Sequence, residues 1–242
     1  MEQSKNRFNS NINVIGSIPD YVAMINYIVA RLENREDSNL SFRTEKSVKR
    51  FIAAINLDFL SFKNNKHKEL FLQALSSENL RIEQKLIVMF WQLCINNLLF
   101  AEITNNYFMK SVYAGRISIH ADEILSLLYE VRRNKPNELK WSDGTLKITA
   151  SKYLTIMKKL GLSVGALSKE IKYPNIGDDI FVFMVKFAMT VYPDSPTEEN
   201  PLFRFSFLDT KTLINRMKSI KFTTYWTLTQ LGNNIKIILN NE

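Results

Sequence analysis

Apolar residues recur at helical spacing through most of the chain, and only toward the C-terminal end does the pattern tighten into the alternation of strands. Tyr21, Met24, Ile25, Ile28, Val29 and Leu32 make the first stripe, opened by Ser17 and Pro19 and fading over residues 33–39. A second helix starts near Arg43. Val48, Phe51, Ile52, Ile55 and Phe59 form its core side, and Arg43, Lys46, Lys49 and Arg50 lie on the reverse. After a loop carrying Lys63, Lys66 and Lys68, a helix over 69–75 leads to a long one over roughly 79–113. That one centres on Phe90, Trp91, Leu98 and Phe100 and ends at Gly115.

Beyond a short link at residues 116–118, a helix over 120–133 presents Ile124, Leu127, Leu128 and Val131 as its apolar side. The next helix, after Trp141, is the most informative element. Ser142 or Asp143 can accept from its unpaired first-turn N–H groups, and Gly161 suits the left-handed position that ends a helix. Leu146, Ala150, Tyr153, Leu154, Met157 and Leu160 fall on one side. Lys147, Ser151, Lys152, Thr155, Lys158 and Lys159 fall on the other. Residues 162–173 alternate loosely around Gly165 and stop at Pro174, as a two-stranded wing would, with Lys169 and Lys172 on it. A basic helix followed by a wing predicts a winged-helix-like domain, although a lysine face on its own also suits an ordinary solvated helix.

Residues 176–192 form a further apolar helix, and residues 193–201, with three prolines and acidic neighbours, suit a linker or exposed loop. The rest reads as a strand, a helix over 210–220 and a hairpin, in which two runs rich in β-branched and aromatic residues flank Gly232, Asn233 and Asn234. Tyr225 and Trp226 in that hairpin could stack on bases or simply pack. The expected fold is therefore mainly α. An N-terminal helical bundle (1–115) precedes the winged-helix-like domain (116–192) and a C-terminal extension with a helix and a β-hairpin (193–242).

Charge sharpens the reading. Thirty-two Lys and Arg against 24 Asp and Glu leave a net +8, which favours polyanionic partners. A single cysteine, Cys94, excludes an internal disulfide and suits a reducing compartment, and the polar N-terminus lacks the apolar core of a secretory signal, so a cytoplasmic location is expected. The apolar stretch 86–103 is interrupted by Gln92, Asn96 and Asn97, which favours a buried central helix over a membrane span. Catalytic patterns are missing. His67 and His120 have no second ligand type at helical spacing, no phosphate loop or nucleophile elbow is present, and adjacent Asp178 and Asp179 read as first-turn residues favoured by the helix dipole. A non-enzymatic protein without cofactor or metal is expected.

Several stretches carry a family resemblance. They are residues 8–40, residues 43–60 and residues 96–130, with Phe100, Phe108 and Val112 leading to the helix that begins at Ala121. The last is the segment with Trp141, Ser142 and Thr145 before the Leu-Gly-Leu stop at 160–162. In these the chain resembles the BrxA-type family of BREX bacteriophage-defence systems, over roughly residues 8–192; members are often described as inner-membrane proteins. Asn56 departs from the arginine expected in that family's second helix, so no role is carried to it. The resemblance implies a non-enzymatic, DNA-binding component of a defence island that marks self by methylation and blocks phage DNA replication.

The residues and the resemblance point to duplex DNA as partner, alongside other BREX proteins and without a membrane. Lys147, Ser151, Lys152 and Thr155 are expected to approach a groove. Lys158, Lys159, Lys169 and Lys172 would neutralise phosphates, and Arg43, Lys46, Lys49 and Arg50 would extend the track. The alternatives are a helical scaffold for protein partners and an RNA-binding regulator.

Overall fold

The computed structural model describes residues 21–35, 44–166, 169–231 and 234–240. Ser17, Pro19, Arg43, Gly232 and Asn233 lie outside the described residues. The protein is mainly helical, with two small antiparallel sheets. It divides into two compact units: Met1–Ser61 with Leu72–Tyr173, and Phe62–Phe71 with Pro174–Glu242.

In the first unit, helix α1 (Tyr21–Leu32) buries Tyr21, Met24, Ile25 and Ile28. It closes through Asn34 in the left-handed region, where the N–H groups of Asn34 and Arg35 donate back to Arg31 and Ala30. Thr44 caps α2 (Glu45–Asp58) by accepting from the Ser47 N–H at 3.2 Å. The next helix, α3 (Asn65–Ser76), whose residues up to Phe71 belong to the second unit, begins earlier than the apolar stripe suggested, because the Asn64 side chain accepts from the His67 N–H at 2.8 Å. Lys66 and Lys68 therefore sit on a helix rather than in a loop.

The long helix expected over 79–113 is broken. Helix α4 (Ile82–Asn96) stops at Asn97, whose backbone is extended, and the chain restarts as α5 (Leu98–Ile103), a π-helical segment (Thr104–Phe108) and α6 (Met109–Tyr113). Asn97 is the reason. Its side-chain oxygen caps α5 by accepting from the Phe100 N–H at 3.0 Å, while its amide donates to the buried carboxyl of Asp58. The other polar interruptions have similar work. The amides of Gln92 and Asn96 donate to carbonyls at the end of α2, those of Asp58, Phe59 and Ser61. All residues from Leu86 to Ile95 are buried within the protein. Among the described residues no single helix is long and apolar enough to cross a membrane. The one pair with sufficient combined length and composition, Ile82–Asn96 and Leu98–Tyr113, is bent by 107°.

Gly115, at φ 67°, ends α6 as expected, with the Gly115 and Arg116 N–H groups donating to Val112 and Ser111. The presumed link that follows contains a strand, β1 (Ser118–Ile119). Helices α7 (Ala121–Asn134) and α8 (Asp143–Lys159) pack on each other, and the hairpin β2 (Ser163–Val164) and β3 (Lys169–Ile171) comes next. Strand β3 lies in the middle, pairing Ile119 with Lys169 on one side and Ser163 with Ile171 on the other, so the order is β1-β3-β2 and every pairing is antiparallel.

In the second unit, α9 (Asp178–Val191) buries Ile180, Phe181, Met184, Val185, Phe187 and Ala188. Residues expected to continue as a strand instead form a 3₁₀ turn, Phe203–Phe205, before α10 (Thr210–Met217) and the hairpin β4 (Trp226–Leu231) and β5 (Asn234–Leu239). Residues 193–201 are not an exposed linker. Thr197 and Asn200 are buried; the Thr197 hydroxyl and Glu198 carboxylate accept from the outward N–H groups of Ile237 and Ile235, and Asn200 donates to the Ala188 carbonyl. The segment thus closes the β5 edge, which would otherwise present unpaired backbone groups. Trp226 packs with Phe181 and Phe222 and donates through Nε1 to the Met217 carbonyl, so it belongs to the core, while Tyr225 stays partly exposed beside the Lys186 ammonium.

Candidate nucleic-acid interface

Helix α8 is held from behind and at both ends. Ser142 caps it, accepting from the Thr145 N–H at 3.3 Å. At the other end Gly161 adopts φ 71°, and the N–H groups of Gly161 and Leu162 donate to Lys158 and Met157, the six-to-one and five-to-two pattern that satisfies the last carbonyls. Leu146, Ala150, Tyr153, Leu154, Met157 and Leu160 are all buried. Tyr153 packs on Phe100 at 5.3 Å, and its hydroxyl pairs with the Thr104 hydroxyl at 3.0 Å, so the π-helical segment grips the middle of α8. Full burial of one such ring is worth roughly 2–3 kcal/mol. The helix is a rigid platform, and its other face is free to be read from outside.

That outer face carries Lys147, Ser151, Lys152, Thr155, Lys158 and Lys159, and none of these residues is fully buried. The ammonium groups of Lys147, Lys152 and Lys158 make no ion pair or hydrogen bond among the described residues. Helix geometry of about 100° per residue gives the face an internal order. Gly144, Ile148, Ser151 and Thr155 form a central uncharged strip, with Lys147 and Lys158 along one border and Lys152 and Lys159 along the other. Lys147 and Lys158 stand about 16 Å apart along the axis. Asp143 would place a negative charge at the head of this face, but Arg132 on α7 pairs with it at 2.8 Å and also donates to the Trp141 carbonyl.

The hairpin beside α8 carries the other two predicted lysines. Lys172 is exposed, and its ammonium has no partner among the described residues. The Lys169 ammonium instead donates to the carbonyls of Gly165 and Ala166 at 2.9 and 2.7 Å, bracing the turn where Gly165 takes φ 98°. Lys46, Lys49 and Arg50 are exposed on α2, without ion pairs among the described residues, while Arg43 falls outside them. The structure thus gathers the six α8 residues on one face, sets Lys169 and Lys172 on the adjoining hairpin, and leaves the α2 cations on another element of the same unit.

Sequence reasoning missed Gly144, Ile148 and Arg132. Exposure is the signal for Ile148, which is 54% accessible although it is a β-branched apolar residue in mid-helix. No local signal marks Arg132, because its partner Asp143 lies beyond the loop that follows α7.

Elsewhere in the same unit, Glu123 accepts from the Tyr107 hydroxyl at 2.5 Å and from Arg116 at 2.7 Å, and the Tyr107 oxygen accepts from the His120 N–H at 2.7 Å. The Tyr107 bond is the largest influence holding the Glu123 carboxyl below its usual range. Every member is used in anchoring β1 and the start of α7. No group of three His, Cys, Asp or Glu suited to a metal ion occurs among the described residues. Comparison with family models, curated proteins and solved structures finds no match to this chain.

Proposed function

We propose that the chain is a non-enzymatic, double-stranded DNA-binding protein whose reading head is a winged-helix-like domain containing α7, α8 and the β1-β3-β2 sheet. The observation that carries this reading is the α8 face: lysines, of which Lys147, Lys152 and Lys158 have no ion pair among the described residues, border an uncharged strip on a helix fixed from behind. A helix pair followed by a hairpin whose second strand pairs with an earlier strand is the arrangement that winged-helix proteins use to present a helix to the major groove. Lysines at the borders suit phosphates on both sides of a groove, and their charge positions the duplex more than it specifies a sequence. The resemblance to the BrxA-type family favours the same partner, and with it a role as an accessory component of BREX phage defence acting in the cytoplasm with other BREX proteins.

Binding of the purified protein to a duplex fragment across a salt series tests this. Engagement of about five phosphates makes affinity fall by roughly 10²–10³-fold between 50 and 200 mM salt. Binding to larger defence proteins that is indifferent to salt, with no duplex binding, would favour a scaffold; tighter binding to structured or single-stranded RNA than to duplex DNA would favour an RNA-binding regulator.

A further inference from the structure

Two features of the α8 strip have no explanation among the described residues. Gly144 sits in the first turn of a helix, where its backbone has no positive φ and where an added Cβ would meet nothing nearer than the Ser142 hydroxyl at 3.9 Å. Neither turn geometry nor packing therefore calls for a glycine, and glycine is the poorer helix former. Ile148, one turn further on, exposes an apolar side chain between lysine borders, at a place where a polar residue would be more soluble and a better helix former. A single exposed isoleucine is ordinary by itself. Its setting is what matters, because small or uncharged residues hold the whole midline while cations are kept to its edges.

The hydrogen-bonding capacity of that midline is small. The Thr155 hydroxyl donates to the Ser151 carbonyl at 3.1 Å, so it offers a base only its lone pairs, and the Ser151 hydroxyl has no partner among the described residues. The midline holds no Arg, Lys, Asn or Gln, the side chains that make the bidentate contacts identifying guanine or adenine. It can make the apolar contact that identifies thymine, whose C5 methyl group is the one hydrophobic feature of the major groove.

We propose that the α8 midline faces base edges in the major groove, that Ile148 packs on a thymine methyl group, and that Gly144 lets the start of the helix come close to the sugar-phosphate backbone. The surface then prefers A·T to G·C pairs through the methyl group. This rests on the duplex-binding reading above and adds the chemical group that is recognised.

One mixed-sequence duplex, prepared with thymine throughout or with uracil throughout, separates the two readings when titrated with wild type and with Ile148→Ala at one low salt concentration. Wild type should bind the uracil duplex about fourfold more weakly, the worth of one buried methyl group, and Ile148→Ala should bind both duplexes equally. Equal wild-type affinity for the two duplexes overturns the methyl contact and leaves duplex binding standing. A methyl preference that persists in Ile148→Ala overturns the assignment to Ile148. Wild type that binds neither duplex overturns the duplex reading, and this one with it.

Discussion

Replacing Asp58 by asparagine should make the protein more stable at neutral pH and flatten the dependence of its stability on pH. Asp58 ends α2 with its carboxyl fully buried, and among the described residues only the Asn97 amide, at 3.3 and 3.5 Å, donates to it. Burial is the main cause that pushes this carboxyl up to about 8, with the Asn97 bond pulling weakly the other way. The Tyr21 phenol, also buried and without a partner among the described residues, is raised by burial and then by Asp58. In the unfolded chain Asp58 releases its proton near pH 4, whereas in the folded protein it holds the proton until about pH 8. Between those values the folded state binds more protons than the unfolded state, so stability falls as pH rises, by about 1.4 kcal/mol per unit from this group. At pH 7 the accumulated cost is about 4 kcal/mol. Asparagine keeps an acceptor for Asn97 and cannot ionise, but it introduces amide hydrogens whose burial costs about 1–3 kcal/mol if they go unpaired. A net gain of about 1–3 kcal/mol at pH 7 is expected, shrinking and then reversing toward pH 4. Urea unfolding of both proteins at several pH values between 4 and 8 reads this directly. Parallel pH curves, or a variant that loses stability relative to wild type as pH rises, would refute the argument.

Gly144→Ala should raise helix stability by up to about 1 kcal/mol, seen as a higher urea midpoint, and at the same time weaken duplex binding; a variant that gains stability and binds DNA as well as wild type would remove the reason given for this glycine. Thr197→Val deletes the acceptor of the Ile237 N–H, and should cost about 1–3 kcal/mol in urea unfolding with faster amide exchange at Ile237. Unchanged exchange there would show that the β5 edge does not depend on residues 193–201.

The elements that were legible in the sequence announce themselves locally. Ser142, Gly115, Gly161 and Gly165 mark helix and turn boundaries because a cap or a positive φ needs those residue types, and the six apolar positions of α8 follow from period alone. What was hidden depends on partners far along the chain. Asn97 reads as one more polar residue in an apolar helix until Asp58, 39 positions earlier, is seen to accept from it. Strand β1 is only two residues long and exists because β3 pairs with it. Residues 193–201 have the composition of a linker, yet Thr197 and Glu198 supply acceptors to β5 some 40 residues later. On the candidate interface the lysine face was legible from period. The braced state of Lys169, the pairing of Asp143 with Arg132 and the exposure of Ile148 were not, since each depends on neighbours brought close only by folding.

If duplex DNA is held by the outer face of α8 and not by net charge alone, the position of the charges decides the affinity. Two variants with the same number of reversed charges test it: Lys147, Lys152, Lys158 and Lys159 to glutamate, and Lys63, Lys66, Lys68 and Lys211 to glutamate. Affinity for one duplex is measured at one salt concentration, with circular dichroism showing that each variant keeps its helical content. The α8 variant should lose binding by at least about 10²-fold while the control keeps most of it. Equal losses in the two variants, or retained binding in the α8 variant, would contradict it.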